Sequence, residues 1–311
     1  MRDAMVDIPV GGAPGPLRIA VVGVGQIGST FAFQLARVGG HEVTVIARPG
    51  SPRLAHLQRD GGIVTTKGEQ AVVRVLDTFD EETQYDLVIV TLLAHHVDAV
   101  LPALKRSRAK CVQFMFNVFE PERLAAAISS ERTSFGMPFI QAKLDTNGRL
   151  SPTIGAGGQK TLMARQRWVD LFTTAGIPSA LEPDMPLWLR CHAPLCVAFE
   201  SVSIAGERRK GGASWKEAMT LARGVKACFE LIQQQGLTIY PKSKRTMYRS
   251  PIAAVAAILW SMSRVRSFRE LLATGGPECR SLVEDMVKAA KAVGRRDLAG
   301  SIQAMAPTVA D

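Results

Sequence analysis

The chain has 311 residues, 47% of them hydrophobic, and a formal net charge of +10 at pH 7. This apolar content can bury one large core or two, while no apolar run reaches the roughly 20 residues that span a bilayer. The five cysteines form no Cys-x-x-Cys pair, so we expect reduced thiols in a cytoplasmic protein, with neither a disulfide framework nor a metal site.

A Gly- and Pro-rich segment, residues 1–16, precedes the first regular pattern. It lacks the apolar core of a signal peptide, and it predicts a flexible tail.

Residues 17–48 have the layout of a mononucleotide-binding βαβ unit. An apolar strand runs into Gly23-Val24-Gly25-Gln26-Ile27-Gly28, a helical run follows, and a second strand comes next. The first Gly makes a tight turn, the second lets the backbone approach a pyrophosphate, and the third lets the helix pack on the strand. Because a helix N-terminus stabilises phosphates, we predict that this loop, with Gln26 and Ile27, binds a dinucleotide.

The end of the second strand indicates which dinucleotide binds. Proteins that select NAD usually place Asp or Glu there to bond the ribose 2′-hydroxyl, whereas this chain has Arg48. A guanidinium suits the 2′-phosphate of NADP, so we predict NADP(H) as the cofactor. The alternative is a solvated Arg in a surface turn.

Strand and helix patterns alternate from here to about residue 183. We expect a hairpin over 63–76, strands at 86–93 and 111–116, a helix at 121–128, and an antiparallel pair formed by 135–142 and 150–154. Beyond residue 183 helical periodicity dominates, in residues 185–204, 214–235, 251–262 and 277–293. The expected fold class is α/β, with a Rossmann-type doubly wound domain over 17–183 and an all-helical domain over 184–311. A substrate would meet the nicotinamide in the cleft between them.

The positive charge belongs to the second half of the chain. Residues 1–150 carry a net charge of +1, and the remainder carries +9. Basic clusters can indicate nucleic acid, yet no nucleic-acid motif accompanies them. We therefore expect attraction of an anionic cofactor and an acidic small-molecule substrate, with no nucleic-acid or membrane partner. The apolar run at residues 252–260 suits a helical core or a homodimer interface.

Taken in order, these landmarks resemble the ketopantoate reductase (2-dehydropantoate 2-reductase) family, NADPH-dependent reductases of a small 2-oxo acid. The resemblance covers nearly the whole chain from Leu17. It is carried by the glycine loop, Arg48, residues 90–97, Phe116-Asn117, residues 136–142, Leu187-Trp188-x-Arg190, and Glu278.

The resemblance implies roles for particular residues. The glycine loop and Arg48 would hold the cofactor, Ala142 would lie against it, and Glu278 would contact it from the helical domain. Asn117 would stand near both nicotinamide and substrate.

Three departures fall where the family binds and protonates its substrate. Leu93 replaces a Lys, Arg190 replaces the Lys that is the family's general acid, and Pro194 replaces a substrate-binding Asn. An Arg remains charged at neutral pH and donates a proton poorly, but it can clamp a carboxylate or stabilise an oxyanion. The chain is therefore a divergent member that lacks the catalytic lysine, and ketopantoate is disfavoured as its substrate.

The proton must then come from another group. His192, two residues past Arg190, is one candidate, and His95 or His96 after the strand at 86–93 is another. Taken singly, each is explained better as a packing or helix-start residue. Ser267 resembles a substrate-binding Ser of the family. The Tyr240-x-x-x-Lys244 spacing, which short-chain dehydrogenases use, is interpreted as coincidence because it lies far outside the nucleotide domain.

Two functions remain open at this point. One is an NADPH-dependent reductase that transfers hydride to a carbonyl or imine of a small acidic metabolite, with Asn117, Arg190 and His192 as candidate catalytic residues. The other is a non-catalytic protein of the same fold that binds NADP(H) and senses redox state.

Overall fold

The apolar runs of the N-terminal half form an eight-stranded sheet in the computed structural model, which describes residues 15–273 and 275–308. Of the predicted tail, only Gly15 and Pro16 fall within the described residues. The described residues contain twelve strands, eight in this sheet and four in two small two-stranded sheets, β3-β4 and β9-β10. The strands are β1 (Arg18–Val22), β2 (Glu42–Ile46), β3 (Gly62–Val64), β4 (Gln70–Val72), β5 (Arg74–Leu76), β6 (Leu87–Val90), β7 (Val112–Met115), β8 (Thr133–Met137), β9 (Ile140–Leu144), β10 (Leu150–Ile154), β11 (Thr161–Met163) and β12 (Ser179–Leu181).

The large sheet has the order β12-β11-β8-β7-β6-β1-β2-β5. The six strands from β8 to β5 are parallel, and β11 pairs antiparallel with β8. Numbered along the chain, the parallel strands follow the order 3-2-1-4-5-6 of a doubly wound fold, which confirms the predicted fold class. The strand order reverses between β1 and β6, so a crevice opens at their carboxyl ends.

Two predicted strand boundaries were wrong. Residues 135–142 do not form one strand, because Pro138 lies between β8 in the large sheet and β9, which pairs with β10. The predicted hairpin over residues 63–76 ends at Val72, because β5 leaves it to pair with β2.

Helices cover the sheet and then form the second half of the molecule. Those of the N-terminal half are α1 (Gln26–Arg37), α2 (Pro52–Asp60), α3 (Leu101–Arg106), α4 (Pro121–Ile128) and α5 (Gln166–Thr174). Those of the C-terminal half are α6 (Met185–Arg208), α7 (Trp215–Gln234), α8 (Lys242–Arg249), α9 (Ile252–Met262), α10 (Arg266–Leu272), α11 (Gly276–Ala292) and α12 (Arg296–Gln303). Within the described ranges, no helix is long and apolar enough to span a membrane.

The long helix α6 joins the two halves. Its first turns, through Met185, Trp188 and Leu189, pack in the core on one face of the sheet. From Cys191 onward its buried residues belong to the core of the helical half. The helix runs through Pro194 without a break, although a proline cannot donate the backbone hydrogen bond to the carbonyl of Arg190.

Helix α9 buries one side and exposes the other. Val255, Ala256 and Leu259 face the helical core, whereas Ile258 is 46% exposed. The homodimer expected through this segment stays a prediction.

The close contact between α7 and α12 yields a test of the helical core. A Cβ on Gly224 would lie 2.1 Å from Met305 Cγ and 3.0 Å from the Ser301 carbonyl oxygen. We expect Gly224→Ala to lower the free energy of unfolding in urea by about 1–3 kcal/mol, as overpacking does. Gly300→Ala on α12 is the control, because a Cβ there meets nothing within 4 Å. It should raise stability by up to about 1 kcal/mol through helix propensity. Equal destabilisation by both changes would contradict this packing.

Candidate active site

The glycine loop is shaped to receive a phosphate group. Gly23 has a φ of +92°, and a Cβ on Gly28 would lie 2.1 Å from the Gly23 carbonyl oxygen, so both positions require glycine. A Cβ on Gly25 would meet nothing within 4 Å, and no side chain caps the N-terminus of α1 that follows. The residues present therefore fit a pyrophosphate bound at the start of α1.

A second arginine fixes this loop in place. Arg53 of α2 donates from Nε to the Val24 carbonyl at 3.0 Å, from Nη1 to the Gly148 carbonyl at 2.7 Å, and from Nη2 to Ser29 Oγ at 2.8 Å. Burial lowers the pKa of Arg53 to about 10, so the guanidinium remains charged at neutral pH. It adds a fixed positive charge at the back of the glycine loop.

Arg48 and Ala142, two further residues expected to hold the cofactor, follow β2 and lie on β9, respectively. Arg48 follows β2 directly after Ala47, and its side chain is exposed at the same sheet edge as the loop. No acidic side chain within the described residues forms an ion pair with it, so its charge is available to a ligand. Ala142 lies on β9 opposite Pro152 and packs partly buried against the core beneath α1.

Asn117 connects the sheet to the helical half. It follows β7, is 8% exposed, and donates from Nδ2 to Glu278 Oε1 of α11 at 3.3 Å. Its Oδ1 accepts from Cys196 Sγ of α6 at 3.2 Å. The structure thus brings together Asn117 and Glu278, two residues that the resemblance assigns to the cofactor. Burial raises the pKa of Glu278, and the bond from Asn117 partly offsets that rise.

A second carboxyl group lies beside Glu278. Glu200 of α6 accepts from Cys279 Sγ at 3.0 Å, and a Cβ on Gly275 would lie 1.7 Å from Glu200 Oε2. A side chain at position 275 would therefore displace this carboxyl from the start of α11. Burial and the neighbouring Glu278 raise the pKa of Glu200 to about 7.

One face of α6 lines the cleft between the halves. Trp188, His192, Cys196 and Glu200 are spaced four residues apart and so lie along one side of the helix. The Trp188 and His192 rings are 4.2 Å apart, and both approach Phe139 of the N-terminal half, at 6.1 and 6.2 Å. This row, called the cleft row below, leads from an aromatic end to the Asn117 contact.

The side chain of Arg190 points away from the cleft row. It is paired with Glu122 of α4, donates from Nη1 to Gln235 Oε1 at 3.0 Å, and lies over the Phe119 ring. Its buried Nε has no acceptor among the described residues. The guanidinium therefore ties the two halves together, and only Nε is left for another partner.

The structure places the candidate histidines in two environments. Burial and the charge of Lys244 lower the pKa of His192 to about 3, so its imidazole is neutral at physiological pH. His95 and His96 are exposed, with their rings 4.0 Å apart, in the 3₁₀ turn of residues 94–99, and Leu93 is 40% exposed beside them. The structure joins neither exposed histidine to Asn117.

Ser267 and Tyr240 lie apart from the Asn117 contact. Ser267 is exposed on α10, and no described hydrogen bond links it to the cleft row. The Tyr240 hydroxyl donates to Glu182 Oε1 at 2.9 Å. Tyr240 therefore does not act together with Lys244 as the pair of a short-chain dehydrogenase would.

Three residues of this region were missed in the sequence. Arg53 and Glu200 were not singled out. Lys244, considered as part of the Tyr240-x-x-x-Lys244 spacing, is 6% exposed and donates from Nζ to the Trp188 carbonyl at 3.1 Å. Glu200 carried a usable signal, because it is one of few charged residues in an otherwise apolar helix. Lys244 sits in the polar segment KSKRTMYR, where nothing local distinguishes it.

Comparisons with known proteins agree with the fold. Residues 19–162 match the family model described as ketopantoate reductase PanE/ApbA. No curated protein sequence matches the chain. Similar solved structures include a D-mandelate dehydrogenase bound to NADH and anilino(oxo)acetate, with 14% identity, a TM-score of 0.70, and coverage of 93% of this chain and 97% of that one.

Two ketopantoate reductases are also similar in structure. The PanE/ApbA family enzyme from Ralstonia eutropha JMP134 has 18% identity, a TM-score of 0.68, and coverage of 93% of this chain and 98% of that one. The 2-dehydropantoate 2-reductase from Porphyromonas gingivalis W83 has 15% identity, a TM-score of 0.62, and coverage of 92% and 98%. Residues 19–162 therefore match the model of the ketopantoate reductase PanE/ApbA family, and the chain as a whole has the fold of these oxidoreductases.

Proposed function

We propose that the chain is an NADPH-dependent reductase acting on a carbonyl or imine of a small acidic metabolite. The observation that carries this proposal is the position of Asn117, which follows the strand next to β6 and is bonded to Cys196 and Glu278 of the helical half. A group held there faces both the dinucleotide crevice and the helical domain. This is the arrangement that a hydride transfer between a bound cofactor and a substrate requires.

The chain's own residues suit such a cofactor. The glycine loop, with Gln26 and Ile27, would hold the pyrophosphate, Arg48 the 2′-phosphate, and Glu278 a ribose hydroxyl. Ala142 would lie against the dinucleotide. When bound, reduced nicotinamide supplies the hydride.

The substrate side is basic and largely enclosed. Asn117 would orient the reacting group, and Arg190 would hold a carboxylate or oxyanion through Nε, which has no acceptor among the described residues. His192 at neutral pH can donate a hydrogen bond as a neutral ring, but its lowered pKa makes it a weak source of a full proton. Ser267 stays a proposed substrate contact that no contact in the described part of the chain supports.

Arg48 gives a test of cofactor choice. NADPH should bind more tightly than NADH, and Arg48→Ala should remove about 1–3 kcal/mol of that preference, the scale of a charge-assisted hydrogen bond. Calorimetric titration with both cofactors measures it. The control is Arg108→Ala, because Arg108 is exposed, precedes β7 at the other edge of the sheet, and pairs with Glu82. Equal affinity of the parent protein for the two cofactors would overturn the role of Arg48.

Turnover distinguishes the reductase from the non-catalytic alternative. We expect NADPH oxidation with at least one small 2-oxo acid or imine from a broad panel. Asn117→Ala should lower kcat/KM at least tenfold, because the reacting groups lose their orientation. Asn147→Ala, in the exposed turn between β9 and β10, is the matched control. If the parent protein binds NADPH but oxidises it with none of these compounds, the NADP(H)-binding, redox-sensing function takes its place.

The buried carboxyl of Glu200 predicts a pH-dependent stability. Its pKa is about 7 in the folded protein and near 4.5 when unfolded. Below pH 4.5 both states are protonated, and between pH 4.5 and 7 only the unfolded state ionises, so stability is lost as pH rises through this window. The loss at this one group should amount to about 2–3 kcal/mol.

Urea unfolding of the parent and Glu200→Gln between pH 4.5 and 7.5 measures this loss. The amide does not titrate, so the variant should gain stability relative to the parent as pH rises. Glu284→Gln, at an exposed position of the neighbouring helix α11, should follow the parent. A constant difference between Glu200→Gln and the parent across the window would refute the assignment.

A further inference from the structure

Lys244 is a buried ammonium group with few partners. It lies on α8, is 6% exposed, and its Nζ donates to the Trp188 carbonyl at 3.1 Å and stands 4.1 Å from the centroid of the Trp188 ring. A lysine ammonium has three N–H donors, and a buried cation normally has a carboxylate partner. No acidic side chain in the described ranges forms an ion pair with Lys244. Two of its donors are therefore free.

Another lysine of the helical half shows what a purely structural role looks like. Lys226 donates to the carbonyls of Tyr248 and Ser250 at the end of α8, where backbone carbonyls lack helical donors. Lys244 has no such function, since the Trp188 carbonyl lies inside α6 rather than at its end. Its position is not explained by capping a helix.

The cleft row connects Lys244 to Asn117. Lys244 Nζ is bonded to the Trp188 carbonyl, and its charge acts on His192 one turn further along the row. Cys196, two turns and about 12 Å beyond Trp188 along the helix, is bonded to Asn117, and its thiol also acts on the charge of Lys244. The free donors of Lys244 and the side chain of Asn117 thus flank the same stretch of cleft. A small substrate between them would contact both.

We propose that Lys244 is the proton donor of this enzyme, supplied from α8 in place of the lysine that ketopantoate reductases carry where this chain has Arg190. This inference rests on the proposed reductase function.

The chemistry balances with one proton and one hydride. The carbonyl carbon accepts a hydride from a reduced nicotinamide dinucleotide, and the electron pair of the C=O π bond moves to oxygen. That oxygen takes a proton from Lys244 Nζ, forming the hydroxyl and leaving a neutral amine. The amine regains its proton from water.

The electrostatic surroundings of Lys244 suit this task. Burial lowers the pKa of Lys244 to about 8. A weaker effect in the opposite direction comes from three groups that favour its charged form: Cys191 and Cys196 of α6, and Glu182 before α6. His192, the other titratable group of the cleft row near it, is neutral. A general acid works best when its pKa lies near the working pH, so Lys244 is better matched than Arg190.

Two substitutions separate proton donation from charge alone. Lys244→Arg keeps a cation, which could still hold a carboxylate, but a guanidinium does not donate its proton at neutral pH. Lys244→Met removes the charge and keeps the length. With the best acid of the panel, we expect both variants to lose at least 100-fold in kcat, with NADPH affinity unchanged and, for Lys244→Arg, KM nearly unchanged.

The parent's kcat should fall above about pH 8, as the lysine deprotonates, and this fall should vanish in Lys244→Arg. Lys242→Arg, exposed on the same helix, is the control.

A measurement without turnover completes the test. In protein labelled with ¹³C at lysine Cε, the resonance missing from Lys244→Arg should titrate near pH 8, and it should shift when NADP⁺ and the acid are added together. Two results would overturn the role of Lys244 and leave the reductase function intact. One is that the parent reduces the acid and Lys244→Arg keeps the same kcat. The other is that the Lys244 resonance does not titrate near pH 8 and does not shift when the ligands are added. If the parent reduces no compound of the panel, the reductase function fails and this role fails with it.

Discussion

The bond network at Asn117 is the constraint on which the rest of the site depends. This one side chain, at the carboxyl edge of the sheet, is held by Cys196 from α6 and by Glu278 from α11. Both bonds lie in a largely buried place, where losing either partner would leave a polar group unsatisfied. The position of the helical half against the dinucleotide crevice is therefore fixed where a cofactor and a substrate would meet.

Charge is divided unevenly across this cleft. Arg190 is already neutralised by Glu122, while the buried Lys244 has no carboxylate partner among the described residues. Burial and the neighbouring Glu278 raise the pKa of Glu200, and burial raises that of Glu278. Isolated buried charges destabilise a fold, and such arrangements are concentrated at functional sites. An acidic substrate beside Lys244 would supply the missing negative charge, whereas the two carboxyls suit the hydroxyl groups of a ribose.

The sequence predicted the parts of the molecule that local pattern controls. The glycine loop, the parallel strands and the long helices follow from spacing and hydropathy, and the fold class followed from them. Pro138 and the exchange of β5 between partners were missed because strand pairing depends on distant segments. Lys244 was missed for the same reason, since only the packing of α8 on α6 buries it. The cleft row was partly visible as a four-residue spacing, but nothing local showed which face of α6 lines the cleft.

We propose that the reaction takes place between Asn117 and the cleft row. A crystal structure of the protein with NADP⁺ and the best acid of the panel would show where both molecules bind. We expect the nicotinamide ring beside Asn117 and a substrate oxygen within hydrogen-bonding distance of Lys244 Nζ. A nicotinamide placed away from Asn117, or a substrate held with Lys244 still bonded to the Trp188 carbonyl alone, would contradict it.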